Sequence, residues 1–217
     1  MQNVWATALV FLGGFSIMVL EIVGARYLAK DFGSSFYVWI SQIGVIMTAL
    51  ALGYYFGGVL ADRFKRVAFL AVLLFPTGLI IFMIPDFAGC VIDAIIMRHP
   101  PDQAIPLLWQ KLDPVLGSCL IFMVPCFALA TLSPYMIRLS TSALGHVGRT
   151  SGWIIAASTI GSIAGVFVSG YVLIDHVTLA EIFRATGLLT GTLGVMCLLL
   201  DSKFQDTRAA VGAGNTT

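Results

Sequence analysis

The chain has 217 residues, of which 59% are hydrophobic and 11% charged, with a formal net charge of +1. Soluble domains run at roughly 45–50% apolar and about 25% charged, so a chain this short cannot bury its apolar excess in its own core and must meet lipid on most sides. A charge this close to neutral implies neither a nucleic-acid nor an acidic partner. The four cysteines (Cys90, Cys119, Cys126 and Cys197) have neither CxxC nor metal-ligand spacing.

A membrane-crossing helix needs about 20 apolar residues at 1.5 Å each. Six segments meet this, predicting an all-α, six-helix membrane domain over 1–200. The first covers about 4–28 and contains Glu21 and Arg26; lacking Lys or Arg before its apolar run, it reads as a span and not a signal peptide. The second, 36–61, holds no charge, and the third, 67–84, carries Pro76. The fourth, 115–137, has Pro125 and Pro134, each removing a helical donor and predicting a kink. The fifth and sixth cover 151–174 and 178–200, with Glu181 and Arg184 in the first turns of the last, spaced to pair with each other. Between the third and fourth spans, segment 86–113 has apolar residues at helical spacing (Phe87, Val91, Ile92, Ile95, Ile96) and a second cluster at Leu107, Leu108 and Trp109. It reads as two short helices lying in the interface plane. The small, polar tail 201–217 is expected to be disordered.

Basic residues set orientation. Arg63, Lys65, Arg66, Arg138, Arg149, Lys203 and Arg208 share one side, three of them in one short loop, whereas Arg26, Lys30, Arg98, Lys111 and Arg184 fall opposite. The expected arrangement has both termini cytoplasmic, in a bacterial cytoplasmic (inner) membrane.

Two spans carry stripes of small residues four apart: Ala49, Gly53 and Gly57 on the second, and Ala157, Gly161, Gly165 and Ser169 on the fifth. Such a stripe lets two backbones approach and substitutes dispersion for the hydrophobic drive that lipid cannot supply. It serves packing within the chain or a contact between subunits.

The loop after the second span reads GGVLADRFKR, Gly57–Arg66. It resembles the signature between the second and third helices of major facilitator transporters, matched here by Gly58, Leu60, Ala61, Asp62, Arg63 and Arg66, with Lys65 where that pattern has glycine. The longer stretch EIVGARYLAKDFGSSFYVWISQIGVIMTALALGYYFGGVLADR, with LSPYMIRL and SGWIIAASTIGSIAGVFVSGYVLI further on, resembles the membrane portion of the fused facilitator/spermidine-synthase-like membrane proteins. The resemblance implies a six-helix half of a facilitator fold, in which two halves surround a midplane site, with Asp62, Arg63 and Arg66 at a gate. It does not imply aminopropyl transfer, because no strand with a glycine-rich turn and acidic residue follows, and hence no cofactor site.

An ionisable residue inside a span is a functional candidate because inserting it costs roughly 2.5–3.5 kcal/mol. Glu21 is foremost, as a proton or cation site or as a buried structural carboxyl. Gln42, Tyr54, Tyr55 and Ser158 are polar groups that could line a cavity with it. There is no GxSxG, no HExxH and no placed acid/base pair, so the chain does not read as an enzyme, and no metal ligands cluster. Two functions follow as expectations. One is a half-facilitator moving a small solute as a homodimer. The other is a non-transporting anchor or accessory subunit of a membrane complex or of a separate soluble enzyme.

Overall fold

The computed structural model describes residues 2–100, 105–141 and 147–214. Its helices are α1 (Gln2–Phe32), α2 (Phe36–Phe64), α3 (Ala68–Ile96), α4 (Leu107–Ala130), α5 (Leu132–Ser140), α6 (Val147–Val168), a π-helical turn at Ser169–Leu173, α7 (Ile174–His176) and α8 (Leu179–Gly214). Among the described residues six helical stretches are long and apolar enough to cross a membrane, α4–α5 and α6–α7 each counting as one.

The predicted interfacial helices are not separate elements. Phe87 to Ile96 form the last turns of α3, which runs on through Pro76 and Pro85, and Leu107–Trp109 form the first turn of α4. Proline removes one donor, but the apolar face of α3 continues past Pro85 through Ala88, Ile92 and Ile95, all buried. Residues 101–104 of that segment and 215–217 of the tail lie outside the described residues. Helix α8 continues to Gly214, where an irregular tail was expected.

The turns follow local chemistry. Gly33 (φ 84°) closes α1 in the left-handed conformation that glycine adopts freely. Lys65 (φ 51°) closes α2 in the same conformation, its N–H bonded to Ala61 O. The facilitator pattern has glycine here, and the lysine adopts the glycine conformation at a cost of about 1 kcal/mol. Helix α8 opens on a reciprocal cap, with Thr178 N–H donating to Glu181 Oε2 (3.1 Å) and Glu181 N–H to Thr178 Oγ1 (3.3 Å). Glu181 is thereby occupied, and Arg184 pairs with Asp86 of α3 at 3.3 Å and not with Glu181, the partner its spacing of three allows. The first N–H of α3 donates to Asp201 Oδ1 of α8 (3.1 Å), a carboxylate at a helix N-terminus.

Packing follows the small residues. The stripe on α6 lies on α1: a methyl on Gly161 would overlap the carbonyl oxygen of Phe11, and one on Gly165 would sit 2.6 Å from that of Phe15. The stripe on α2 lies on α4 and α5: methyls on Gly53 and Gly57 would sit 2.5 Å from Phe127 O and 2.8 Å from Thr131 O. In both pairs two glycines four apart rest on two carbonyls four apart, and the numbering rises together, so each pair is parallel. Both stripes therefore serve contacts inside the chain. Ala49 and Ala157 are buried on the same faces, and Ser169 is buried where the π-helical turn begins.

The remaining pair, α3 and α8, is antiparallel. Gly78 meets Gly187 and Gly191, and Gly194 meets Phe75. This glycine set escaped the sequence reading. The arrangement is unchanged when the first span is exchanged with the fourth, the second with the fifth and the third with the sixth. The contact α1–α6 becomes α4–α2, and α3–α8 maps onto itself. The two three-helix units thus form an inverted repeat with partners swapped between them.

Candidate functional site

The fourth span supplies the site's wall and loosens at Thr131, whose backbone stays helical (φ −63°, ψ −22°). Pro134 has no N–H for the carbonyl of Ala130, and Thr131 turns back on Ala128 O through its N–H (3.3 Å) and Oγ1 (2.7 Å). Here α4 passes into α5, and Gly57 of α2 packs on Thr131 and Pro134.

Glu21 lies on α1 one turn after Met18, which touches α6 at Gly165, and one turn before Gly24, which touches Gln42 and Phe122. It is about 60° round the helix from each, so it points between α4 and α6. It is partly buried. Among the described residues no cation lies within salt-bridge distance of it and it makes no hydrogen bond.

On the N-terminal side of Glu21, about 10 Å along α1, the gap is closed by a layer of small polar residues. Ser133 Oγ donates to Ser158 Oγ (3.2 Å), and Gly14 is pressed against the Ser158 carbonyl and Ser162 Oγ. On the other flank Gln42 is fully buried and forms a clamp. Its Nε2 donates to Leu20 O (3.4 Å) and its Oε1 accepts from Ser118 Oγ (2.6 Å), joining α1, α2 and α4. Glu21, Gln42 and Ser158 are thus brought to one side of α1. Tyr54 and Tyr55 are not: they are 45% and 68% exposed on the outer surface of α2, because the buried face of that helix is taken by Gly53 and Gly57.

The loop-motif residues gather at the α2–α3 end. Asp62 pairs with Arg138 of α5 at 2.5 Å, and Tyr135 Oη donates to the Arg66 carbonyl at 2.7 Å. Arg63 lies over the Phe64 ring, which stacks on Phe69. A methyl on Gly58 would meet nothing within 4 Å, so close packing does not require glycine there. Both members of the Asp62–Arg138 pair are more than half exposed, and such pairs contribute about 0.2–1 kcal/mol. Asp62→Ala is accordingly expected to lower thermal stability in detergent only slightly; a loss comparable to that of a core substitution would contradict this reading.

A second polar cluster was missed. At the α3–α4 end, Asp113 is buried and accepts from Arg98 Nη2 (2.5 Å) and from His99 Nε2 (2.8 Å), while the Arg98 guanidinium lies 4.3 Å from the centre of the Trp109 ring. In the sequence Asp113 was one acidic residue among several outside the spans, and nothing there reveals its burial. Among the described residues no three His, Cys, Asp or Glu side chains converge as metal ligands. Comparison with family models, with curated proteins and with solved structures finds no match to this chain.

Proposed function

We propose that this chain is half of a facilitator-like transporter, moving a small solute as a homodimer in a bacterial cytoplasmic membrane with both termini cytoplasmic. The observation that carries the reading is the unpartnered carboxylate of Glu21, held inside a span between α4 and α6 of an inverted repeat. Transporters built from such repeats place their sites near the midplane, often beside irregular helices, and the fourth and fifth spans each carry a local irregularity, at Thr131 and in the π-helical turn at Ser169–Leu173. The burial pattern agrees with a missing second half. The most apolar stretches of the first and fourth spans are the most buried, and those of the second and fifth the least. A partner covering α2 and α6 completes a ring around α1 and α4, and Glu21 then faces the ring's interior. The motif residues Asp62, Arg63 and Arg66 belong to its gate.

The test uses the chain purified in mild detergent, with mass determination and a thermal-shift panel of small organic cations, amino acids and organic acids. The expected result is a homodimer whose melting temperature rises with one solute class, by the linkage of binding to stability. Glu21→Gln should keep the dimer and its unliganded melting temperature while losing that rise. Stoichiometric recovery of a foreign subunit, with no solute response, would replace this reading by the anchor or accessory-subunit one.

A further inference from the structure

At the end of the bundle where α2 and α4 begin, the two helices diverge and leave a groove of about 750 Å³. Its walls are Ile40, Gly44 and Val45 of α2 and Val115, Cys119 and Met123 of α4. The Ser41 and Thr48 hydroxyls in its lining turn back on their own helix: Ser41 Oγ donates to Tyr37 O (2.7 Å) and Thr48 Oγ1 to Gly44 O (2.8 Å). Neither of these hydroxyls is left to donate to a polar solute. A methyl on Gly44 would meet no atom within 4 Å, so the glycine widens the groove without packing against anything.

One charge stands at the groove's end. The Lys111 ammonium lies 5.1 Å from the centre of the Tyr37 ring. The neighbouring carboxylate, Asp113, is taken by Arg98 and His99. Among the described residues no anion neutralises Lys111. From Lys111 to Met123 the α4 wall runs about 18 Å, close to the depth of one leaflet, half of a hydrocarbon core about 30 Å thick. The site thus has one leaflet's length, apolar walls and a single cation at headgroup level.

We propose that this groove binds an anionic phospholipid, with one acyl chain along the α2–α4 walls and the phosphate on Lys111 Nζ. The fit is one of charge and length: a zwitterionic headgroup brings its own cation to Lys111, and a soluble anion leaves the apolar walls unfilled. The proposal stands independently of transport.

The test is native mass spectrometry of the full chain from mixed micelles of phosphatidylglycerol and phosphatidylcholine. Wild type is expected to retain phosphatidylglycerol preferentially, and Lys111→Gln to reduce that preference about five-fold, the scale of one interfacial lysine, without changing retention of phosphatidylcholine. Gly44→Phe, which fills the groove, should lower retention of both lipids. Unchanged melting temperatures in detergent certify that the variants fold. Glycerol phosphate should not compete, since it has no chain; competition by it would overturn the lipid assignment in favour of a soluble anion. Equal lipid retention in all three proteins would overturn the proposal, as would loss of a dimer in Gly44→Phe with lipid retention intact, which would assign the groove to a second copy.

Discussion

Gly161→Ala is expected to cost more stability than a methyl at any other described glycine, because the added carbon would overlap the backbone carbonyl of Phe11. A side chain in its place could change rotamer, but a helical carbonyl cannot without moving the helix. The α1–α6 pair would have to separate, and Gly165, one turn on, would lose its own seat on Phe15. Overpacking costs about 1–3 kcal/mol in well-packed cores, and a backbone obstacle puts Gly161→Ala at or above the top of that range. Gly53→Ala should behave alike, since its methyl would meet Phe127 O at 2.5 Å and the Ala130 methyl at 2.6 Å. Gly44→Ala is the control. It meets nothing within 4 Å and replaces glycine by a residue about 0.8–1 kcal/mol better in a helix, so its melting temperature should be unchanged or raised. The measurement is loss of the monodisperse peak on heating in detergent; equal melting of Gly161→Ala and Gly44→Ala would refute the packing described for α1 and α6.

The second large effect is expected at Asp113. Its side chain is 6% exposed and holds two donors, His99 (11% exposed) and Arg98 (41%). Removing one partner of a buried ion pair typically costs about 3–5 kcal/mol, because the other is left without compensation. Arg98 is exposed enough to regain water and keeps its stacking on Trp109, which lowers the expected loss for Asp113→Ala to about 2–3 kcal/mol. His99 is the group stranded. Asp113→Asn retains an acceptor and should lose less, and Arg98→Ala less again, since the His99 bond survives it. Melting temperatures of the three variants, with hydrogen exchange at Met97–His99, give the order directly. An Arg98→Ala loss as large as that of Asp113→Ala would show that the buried carboxylate is not the centre of the cluster.

How much of this was legible in the sequence differs by feature. The six spans were, because lipid demands long apolar runs and Arg63, Lys65 and Arg66 interrupt them sharply. The stripes on α2 and α6 were also legible, since a spacing of four is a property of one helix. Their partners were not: a stripe says that something comes close, and only the fold says that Gly161 lies on Phe11 and Gly53 on Phe127. The end of α3 was misread because Pro85 and Asp86 look like a stop, whereas burial of Ile92 and Ile95 carries the helix onward. Gln42 was recognised as polar within a span, but its role depends on Ser118, 76 residues away. Tyr54 and Tyr55 were grouped with Glu21 on polarity alone, and helix phase separates them. Glu181 and Arg184 are three apart and so could pair, but the Thr178 cap had the stronger claim on that carboxylate.

The swapped pairing bears on how the chain is made. As synthesis delivers the helices in order, α1 and α2 enter the bilayer with their closest-packing faces bare, and neither can cover the other. Gly53 waits for Phe127, and Phe11 waits for Gly161. The first three spans therefore have no compact resting form of their own, and insertion and assembly become separate stages. The last helix, which caps α3 through Asp201 and closes on Gly78, completes both repeats at once. Proteolytic quality control would meet α1 and α2 uncovered until the helices that carry Phe127 and Gly161 have entered the bilayer.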